Sequence, residues 1–230
     1  MSEPRIAALI PCLDVEGTLG AVIQGVLAHV DHALVVDDGS TDSTSAAGAS
    51  AGADVLRHEK NLGKGAALRS GMERLRDQGY THVFSVDGDG QHLTDEMPVL
   101  LEEWREAPDA IVVGERIREE GQEVAGIRRF GNDFANWWVA LAAGTRFPDT
   151  QSGFRIYPIA PTLGLGVRAD HYEFESEVLI LAARRGLDVR SRKVHVYYPP
   201  PDRLVSHYNP WIDTIRIIKT VVPFAAGWRG

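Results

Sequence analysis

From its first residues to about Gly114 the chain alternates short apolar runs with stretches whose apolar residues recur at helical spacing. The runs are Ile6–Ile10, Ala33–Val36, Asp54–Arg57, His82–Val86 and Ala110–Val113, short and mostly rich in Val, Ile, Leu and Ala. That pattern predicts strands buried between two layers of helix. The helical period falls on Gly17–Ala28, Ser43–Ala51, Gly65–Gln78 and Thr94–Glu106, the last opened by Thr94 with Met97 and Pro98 in its first turn. Strand and helix in alternation specify βαβ units and a largely parallel sheet.

After Gly114 the alternation fades. The charged stretch from Arg116 to Glu123 reads as a mobile loop, and a helical pattern returns over Phe130–Ala142. The polar segment Asp149–Arg155 follows, then a helix over Glu173–Arg185, a strand over Val189–Tyr197 and an amphipathic helix over Pro210–Val222. The chain carries no internal repeat and no low-complexity segment. The expected fold is α/β: one Rossmann-like domain over 1–230, a mostly parallel sheet flanked by helices.

With 230 residues, 44% hydrophobic and 24% charged, the chain can bury a sizeable core. A net charge of −8 argues against nucleic acid as a partner, because phosphate-backbone affinity needs a dense basic face. Cys12 is the sole cysteine, which excludes an internal disulfide and a cysteine zinc site; it reads as a small buried side chain ending the first strand. No run approaches the roughly 18 apolar residues of a spanning helix, and the chain enters Ile6–Ile10 too soon for a signal peptide. The expectation is a cytoplasmic protein or one peripheral on the inner face of a membrane. Trp211, Ile215, Ile218 and Val222 share a face of the final helix, flanked by Arg216 and Lys219. Such a stripe suits a bilayer surface, and core packing is the better reading.

In an open parallel sheet, ligands bind outside the carboxyl ends of the strands. Polar residues accumulate there in Pro11–Asp14, in Asp37-Asp38-Gly39-Ser40 and in Asp87-Gly88-Asp89-Gly90-Gln91-His92. Carboxylates at Asp87 and Asp89 can hold a hard divalent cation beside a bound diphosphate. Asp-Gly-Ser also makes ordinary turns, and for the second loop alone the two readings balance. A dinucleotide cofactor is excluded, because no G-x-G-x-x-G follows a predicted strand. Gly63-Lys64-Gly65 falls short of a P-loop: His58 stands where the first glycine belongs and Gly65 where Ser or Thr would hold magnesium. Asn61–Gly65 reads instead as a glycine turn opening a helix, with Lys64 near a diphosphate.

Taken together, Ile10–Asp14, Val35–Asp42, Asn61–Gly65, Asp87–His92, Gly114-Glu115-Arg116 and Asp149–Arg155 resemble the family 2 glycosyltransferases. These are inverting enzymes with the nucleotide-binding GT-A fold, and the nearest likeness within them is to the dolichyl- or polyprenyl-phosphate sugar transferases. The resemblance runs from about residue 6 to residue 200. It implies a nucleotide-sugar-binding half over 1–115, an acceptor half over 116–205 and a C-terminal helix over 206–230. Pro11 and Leu13 would line base and ribose, Asp38 would accept a hydrogen bond from the base, and Asp87 and Gly88 would face the ribose or a metal-bound water. Asp89 and Gln91 would ligate Mg²⁺ or Mn²⁺. The chain departs from the family pattern at Leu13, Asp14 and Val15, which replace an aromatic residue, Asn and Glu, with Glu16 one position further on.

The chemistry requires such groups. Breaking the sugar–phosphate bond puts charge on a departing nucleoside diphosphate, which the cation, Lys64 and Arg203 would stabilise. A hydroxyl acceptor needs a general base, for which likeness to the family nominates Asp149. A lipid phosphate is already ionised and needs cations instead: Arg116, Arg128, Arg129 and Arg203. His171–Glu177 reads as a helix-start network shaping the acceptor pocket, since Glu175 and Glu177 cannot share one helix face, with His171 a further contact to the metal or diphosphate.

The implied activity is inverting, metal-dependent transfer from a nucleotide sugar of GDP-mannose or UDP-glucose type to a polyprenyl or dolichyl phosphate at a membrane surface. One alternative is transfer to a hydroxyl of a glycan or lipid. Another is a nucleotide-sugar-binding protein without catalysis, against which Asp87-Gly88-Asp89 and Asp149 both count. A nucleotidyltransferase would want a glycine-rich loop where Pro11–Asp14 stands. The sugar, the base and the oligomeric state stay open.

Overall fold

A computed structural model describes residues 3–117, 136–197, 216 and 219–224. In chain order it contains β1 (Ile6–Cys12), α1 (Glu16–Leu27), β2 (Ala33–Asp37), α2 (Thr44–Ser50), β3 (Asp54–Arg57), α3 (Lys64–Asp77) and β4 (His82–Ser85). A 3₁₀ turn at Thr94–Glu96 leads into α4 (Met97–Glu106), followed by β5 (Ile111–Arg116). The helix α5 occupies 136–143 of the described residues. Then come β6 (Arg155–Pro158), α6 (Ile159–Gly164), α7 (Phe174–Arg184) and β7 (Val189–Val194), with α8 described over 219–224.

The strands form one seven-stranded sheet in the order β3-β2-β1-β4-β6-β5-β7. All neighbours run parallel except β6, which is antiparallel to both β4 and β5. This single reversal matters for the site. The carboxyl ends of β1, β2, β4 and β5 share one edge, and β6, running the other way, begins at that edge. The segment 149–154 that precedes it is therefore delivered to the same crevice.

Each strand divides its side chains between two layers. From β1, Ala7 and Leu9 join α3, α7 and α8 through Leu68, Met72, Val178, Leu179 and Val221. Ala8 and Ile10 face α1 and α4 through Leu19, Ile23, Leu100 and Leu101. Buried side chains of this size contribute roughly 1.5–3 kcal/mol each. The period-two split of the strands and the Leu19, Val22, Ile23, Val26 spacing on α1 are the same pattern seen from the two sides of the interface. Helix α7 is enclosed over most of its length: Phe174 to Ala182 are all buried, including Glu175, Ser176 and Glu177.

Where the predicted elements fall on described residues they match within a few residues, with four corrections, and 130–135 of the expected helix Phe130–Ala142 lie outside the described residues. The strand β6 and the short α6 were not expected, because Arg155-Ile156-Tyr157-Pro158 is charged at one end and closed by proline at the other. Strand β5 extends through Arg116, where the loop was expected to begin, and 118–123 lie outside the described residues. Thr94 makes no cap; the chain turns through a 3₁₀ segment before α4, and Pro98 takes the first turn as expected. In α8, Val221 and Phe224 enter the core and Val222 is exposed; Trp211, Ile215 and Ile218 lie outside the described residues.

Candidate functional site

The loops after β1, β2 and β3 are clipped to one another at the carboxyl edge. Asp38 directs its carboxylate inward, where Oδ1 accepts from Leu62 N (2.9 Å) and lies 2.6 Å from His58 Nδ1, and Oδ2 accepts from Gly63 N (2.7 Å). The nucleotide-base contact expected of Asp38 would have to share oxygens that already organise the 58–63 loop. Asp37 is equally engaged, accepting from Ser40 N (2.8 Å), Ser45 Oγ and Arg57 Nη1 (3.1 Å). Asp14, at φ 48, accepts from Thr41 N (2.7 Å), while Ser40 Oγ accepts from Asp14 N (3.0 Å). Glu16, the candidate substitute for the missing family acid, accepts from Ser43 N (2.8 Å). Pro11 is buried in β1, and Leu13 is half-buried at the mouth of the loop. Gly88 packs against Cys12, whose Sγ a Cβ would approach to 2.8 Å, and its carbonyl accepts from Thr18 Oγ1 (2.6 Å).

Behind these loops lies a buried charge cluster. Lys64 opens α3 and reaches both Asp87 Oδ1 (2.6 Å) and Glu175 Oε1 (2.7 Å). The turn before it depends on Gly63 at φ +103, where a Cβ would collide with the Asp170 carbonyl and His171 Nδ1. Burial works to lower the Lys64 ammonium, but Asp87 and Glu175 outweigh it and hold the value above the usual range. Burial likewise works to raise Asp87, and Lys64 with His92 keeps it low. Asp89 goes the other way, pushed up to about 6 by burial and by the neighbouring Asp87 charge.

Gln91 donates to Asp89 through its backbone N (3.0 Å) and Nε2 (2.7 Å). His92 stacks on Phe154 at 5.1 Å, lies 4.0 Å from Asp87 Oδ2 and has no partner for Nδ1 among the described residues. Burial lowers its imidazole to about 4, so it is neutral at physiological pH.

This donor set fits a hard cation. Asp89 carries a charge that burial and Asp87 disfavour, which a cation would relieve, and its oxygens and the Gln91 amide are the ligand type magnesium and manganese prefer. Among the described residues no three His, Cys, Asp or Glu are grouped to hold a metal. A cation at this edge would therefore draw its remaining ligands from a bound diphosphate and water.

Across the crevice, Arg116 ends β5 and grips Asp149 bidentately, Nε to Oδ2 at 2.6 Å and Nη2 to Oδ1 at 2.9 Å. Burial works to raise the Asp149 carboxyl, but the Arg116 charge and hydrogen bonds, with Gln151 N–H, hold it below the carboxylate range. A cleft of about 340 Å³ opens here, lined by Glu115, Arg116, Ile117, Asn136, Pro148, Asp149 and Lys193. A larger one, about 580 Å³, shares Pro148 and Asp149 and runs toward the start of β7.

Two residues join this side to the charge cluster. Gly153 passes so close that a Cβ would lie 2.5 Å from Asp87 Oδ2 and 2.8 Å from Lys64 Nζ. Arg155, fully buried, donates to the carbonyls of Thr150 (2.8 Å), Ser152 (2.6 Å) and Glu175 (2.8 Å).

The structure thus brings Asp87, Asp89, Gln91, Lys64, Arg116 and Asp149 to one crevice, while Arg128, Arg129 and Arg203 lie outside the described residues. Glu175 and Glu177 do point apart: Glu177 accepts from Arg168 N (3.1 Å) and Ala169 N (2.7 Å). Sequence reasoning assigned no site role to His92, Gly153 or Arg155, and it placed Glu175 in a network shaping the acceptor pocket, whereas the structure pairs Glu175 with Lys64. The available signal was charge in apolar context, a carboxylate within Phe174–Ala182 and an arginine before Ile156-Tyr157.

Comparison with known proteins places this arrangement. A glucosyl-3-phosphoglycerate synthase from Mycobacterium tuberculosis, solved with Mn²⁺, uridine diphosphate and phosphoglyceric acid, superposes with a TM-score of 0.73 at 20% identity, covering 96% of this chain and 78% of that one. A mannosyl-3-phosphoglycerate synthase from Rubrobacter xylanophilus gives 0.73 at 21%, covering 98% and 74%. These establish a common fold, the GT-A arrangement.

A UDP-N-acetylglucosamine–dolichyl-phosphate N-acetylglucosaminyltransferase of Methanococcus voltae is 26% identical over 220 residues, 86% of this chain and 88% of its own length. Glycosyltransferase AglJ of Haloferax volcanii is 30% identical over 181 residues, 78% of this chain and 58% of that protein. Residues 7–161, more than half of the chain, match the profile of Glycosyl transferase family 2, and the chain belongs to that family.

Proposed function

We propose that the chain transfers a sugar, with inversion, from a nucleotide sugar to a phosphate acceptor of the polyprenyl or dolichyl type, using a divalent cation at Asp89. The observation that carries this reading is the condition of Asp149. Both its oxygens are bound by Arg116 and its carboxyl is held below the usual range. A general base works best with a pKa near the operating pH, so this carboxylate is a poor proton acceptor. A phosphate monoester, with a second pKa near 6, arrives largely ionised and needs no base.

In the proposed step an acceptor phosphate oxygen attacks the anomeric carbon as its bond to the diphosphate oxygen breaks. The electron pair leaves with the nucleoside diphosphate. Asp89 and Gln91 would hold Mg²⁺ or Mn²⁺, which when bound would stabilise the charge developing on that diphosphate. Pro11, Leu13 and Gly88 would border the nucleoside. Arg116, released from Asp149 as the acceptor anion arrives, would grip the phosphate together with Arg128, Arg129 and Arg203, and Lys193 adds a cation to the cleft wall. Relatives named as dolichyl-phosphate transferases support the acceptor class, including a dolichyl-phosphate β-glucosyltransferase of Trichomonas vaginalis, 30% identical over 170 residues. Among the described residues no helix is long and apolar enough to cross a membrane.

The test is release of nucleoside diphosphate from UDP- and GDP-sugars with Mn²⁺ or Mg²⁺, with a short polyprenyl phosphate, the matching polyprenol or 3-phosphoglycerate as acceptor. Release that depends on the polyprenyl phosphate and on the metal is expected. Equal turnover with the polyprenol would overturn the phosphate reading, and turnover with 3-phosphoglycerate alone would move the acceptor to a small phosphorylated acid.

A further inference from the structure

We infer that Glu175 is a positioning residue of the donor site, acting on Asp87 through Lys64. The inference rests on the reading that the Asp87–Asp89 edge binds the metal–diphosphate end of the donor. Glu175 is the fixed member of the trio. It sits in the first turn of α7 with its side chain 4% exposed, and its carbonyl is anchored by Arg155 Nη1 at 2.8 Å. Asp87 is the open member, with a side chain 24% exposed toward the crevice.

Lys64 Nζ stands between these carboxylates as an ion-pair partner of both, at 2.7 Å and 2.6 Å. Asp87 Oδ1 is thereby held, and Oδ2 is left facing Gly153 and His92. Gly153 makes this placement exacting, because any side chain there would strike Asp87 Oδ2 and Lys64 Nζ.

The charges explain why a second carboxylate is needed. An ammonium paired with Asp87 alone would orient it and cancel its charge together. Shared with Glu175, the same ammonium orients Asp87 while the trio keeps one net negative charge, available to a cation or to a cation-bound diphosphate. Lys64 accordingly acts here as the part that couples α7 to the end of β4, and because an ammonium has three N–H donors, contact with a diphosphate does not require it to leave either carboxylate.

The experiment is calorimetric titration of the full chain with UDP and with GDP in the presence of Mn²⁺, for the wild type, Glu175→Gln and Glu175→Asp, and for Glu175→Gln added to Lys64→Gln. Thermal melts identify the variants that fold. Members of one ion-pair network typically couple by a factor of about 2–150, and a loss within that range is expected for Glu175→Gln. Glu175→Asp keeps the charge and withdraws it by one methylene, so an equal loss is expected if contact with Lys64 is what counts. In the Lys64→Gln background Glu175→Gln should cost nothing further, the mark of an effect that passes through Lys64.

Wild-type affinity in Glu175→Asp and Glu175→Gln, or a Glu175→Gln loss of the same size without Lys64, overturns the inference while the donor reading stands. If the wild type binds neither nucleotide, the donor reading itself fails and takes this inference with it. Should Lys64→Gln not fold, the Glu175→Asp result decides alone.

Discussion

On the side of the crevice that the proposed function makes the donor side, Asp38 accepts hydrogen bonds from the backbone N–H groups of Leu62 and Gly63 in a neighbouring loop, whereas on the proposed acceptor side Asp149 spends its oxygens mainly on the side chain of Arg116. The difference is one of reversibility. A carboxylate that closes a loop onto backbone cannot leave without unfolding that loop, since buried N–H groups would be orphaned. A carboxylate held by a half-buried guanidinium can be exchanged for another anion at similar cost, because the arginine fork fits phosphate as well as carboxylate. The donor side is thus a fixed cradle, and the acceptor side is a pair that an incoming anion can rearrange. The cluster of Lys64, Asp87 and Glu175 stands between them, tied to both through Gly153 and Arg155.

The largest test of this contrast sets Asp89 against Asp149. Asp89→Ala should lower nucleoside diphosphate release about 10²–10³-fold, as loss of an electrostatic stabiliser of the leaving group does. Asp149→Asn should fall well short of the roughly 10²–10⁴-fold that removal of a general base costs. Steady-state kinetics with the polyprenyl phosphate acceptor measures both. A larger loss for Asp149→Asn than for Asp89→Ala would reverse the assignment of the two sides.

Next in size is Arg155→Met. It leaves the carbonyls of Thr150, Ser152 and Glu175 without their donor inside the core, and urea denaturation should show a loss of roughly 3 kcal/mol or more. Retained stability would mean that the link between the two sides is looser than its hydrogen bonds indicate.

Gly153→Ala should act more mildly on stability, about 1–3 kcal/mol as overpacking does. The added methyl must displace Asp87 or Lys64, so the dissociation constant for UDP or GDP should rise even in the folded variant. Unchanged nucleotide affinity would separate Gly153 from the donor side.

The smallest effect concerns pH. Asp149 titrates below its ordinary value of 3.8 in the folded protein, so its pairing contributes stability that is complete above that value. The contribution is lost as the pH falls through the lowered folded value. Urea midpoints of the wild type and Asp149→Asn should therefore differ by a constant amount near neutrality and converge in strong acid. A gap that closes near neutral pH would mean Arg116 does not hold Asp149 in its low-pKa state.

The front half of the fold was legible because its signals are local. Strands β1 to β4 announce themselves as apolar runs and α1 to α4 as apolar stripes, each readable within its own window. The strand β6 was not, because Arg155 opens it and Pro158 ends it, and the buried guanidinium is satisfied in part by the carbonyl of Glu175, twenty positions away. Asp38 shows the same limit at the site. Its position at a strand end was readable, but the His58, Leu62 and Gly63 groups that occupy its carboxylate come from a different loop.

The sequence by itself determined the α/β class, the sheet edge where polar loops gather, and the acidic run Asp87–Gln91 after β4, since each follows from residues adjacent in the chain. Only the tertiary structure decided which charges meet. Reversal of β6 carries Asp149 to Arg116 across 33 positions. The close approach of α3 and α7 puts Lys64 between Asp87 and Glu175. Electrostatic partnership depends on distance in space and on burial, and neither is written in the spacing of residues along the chain.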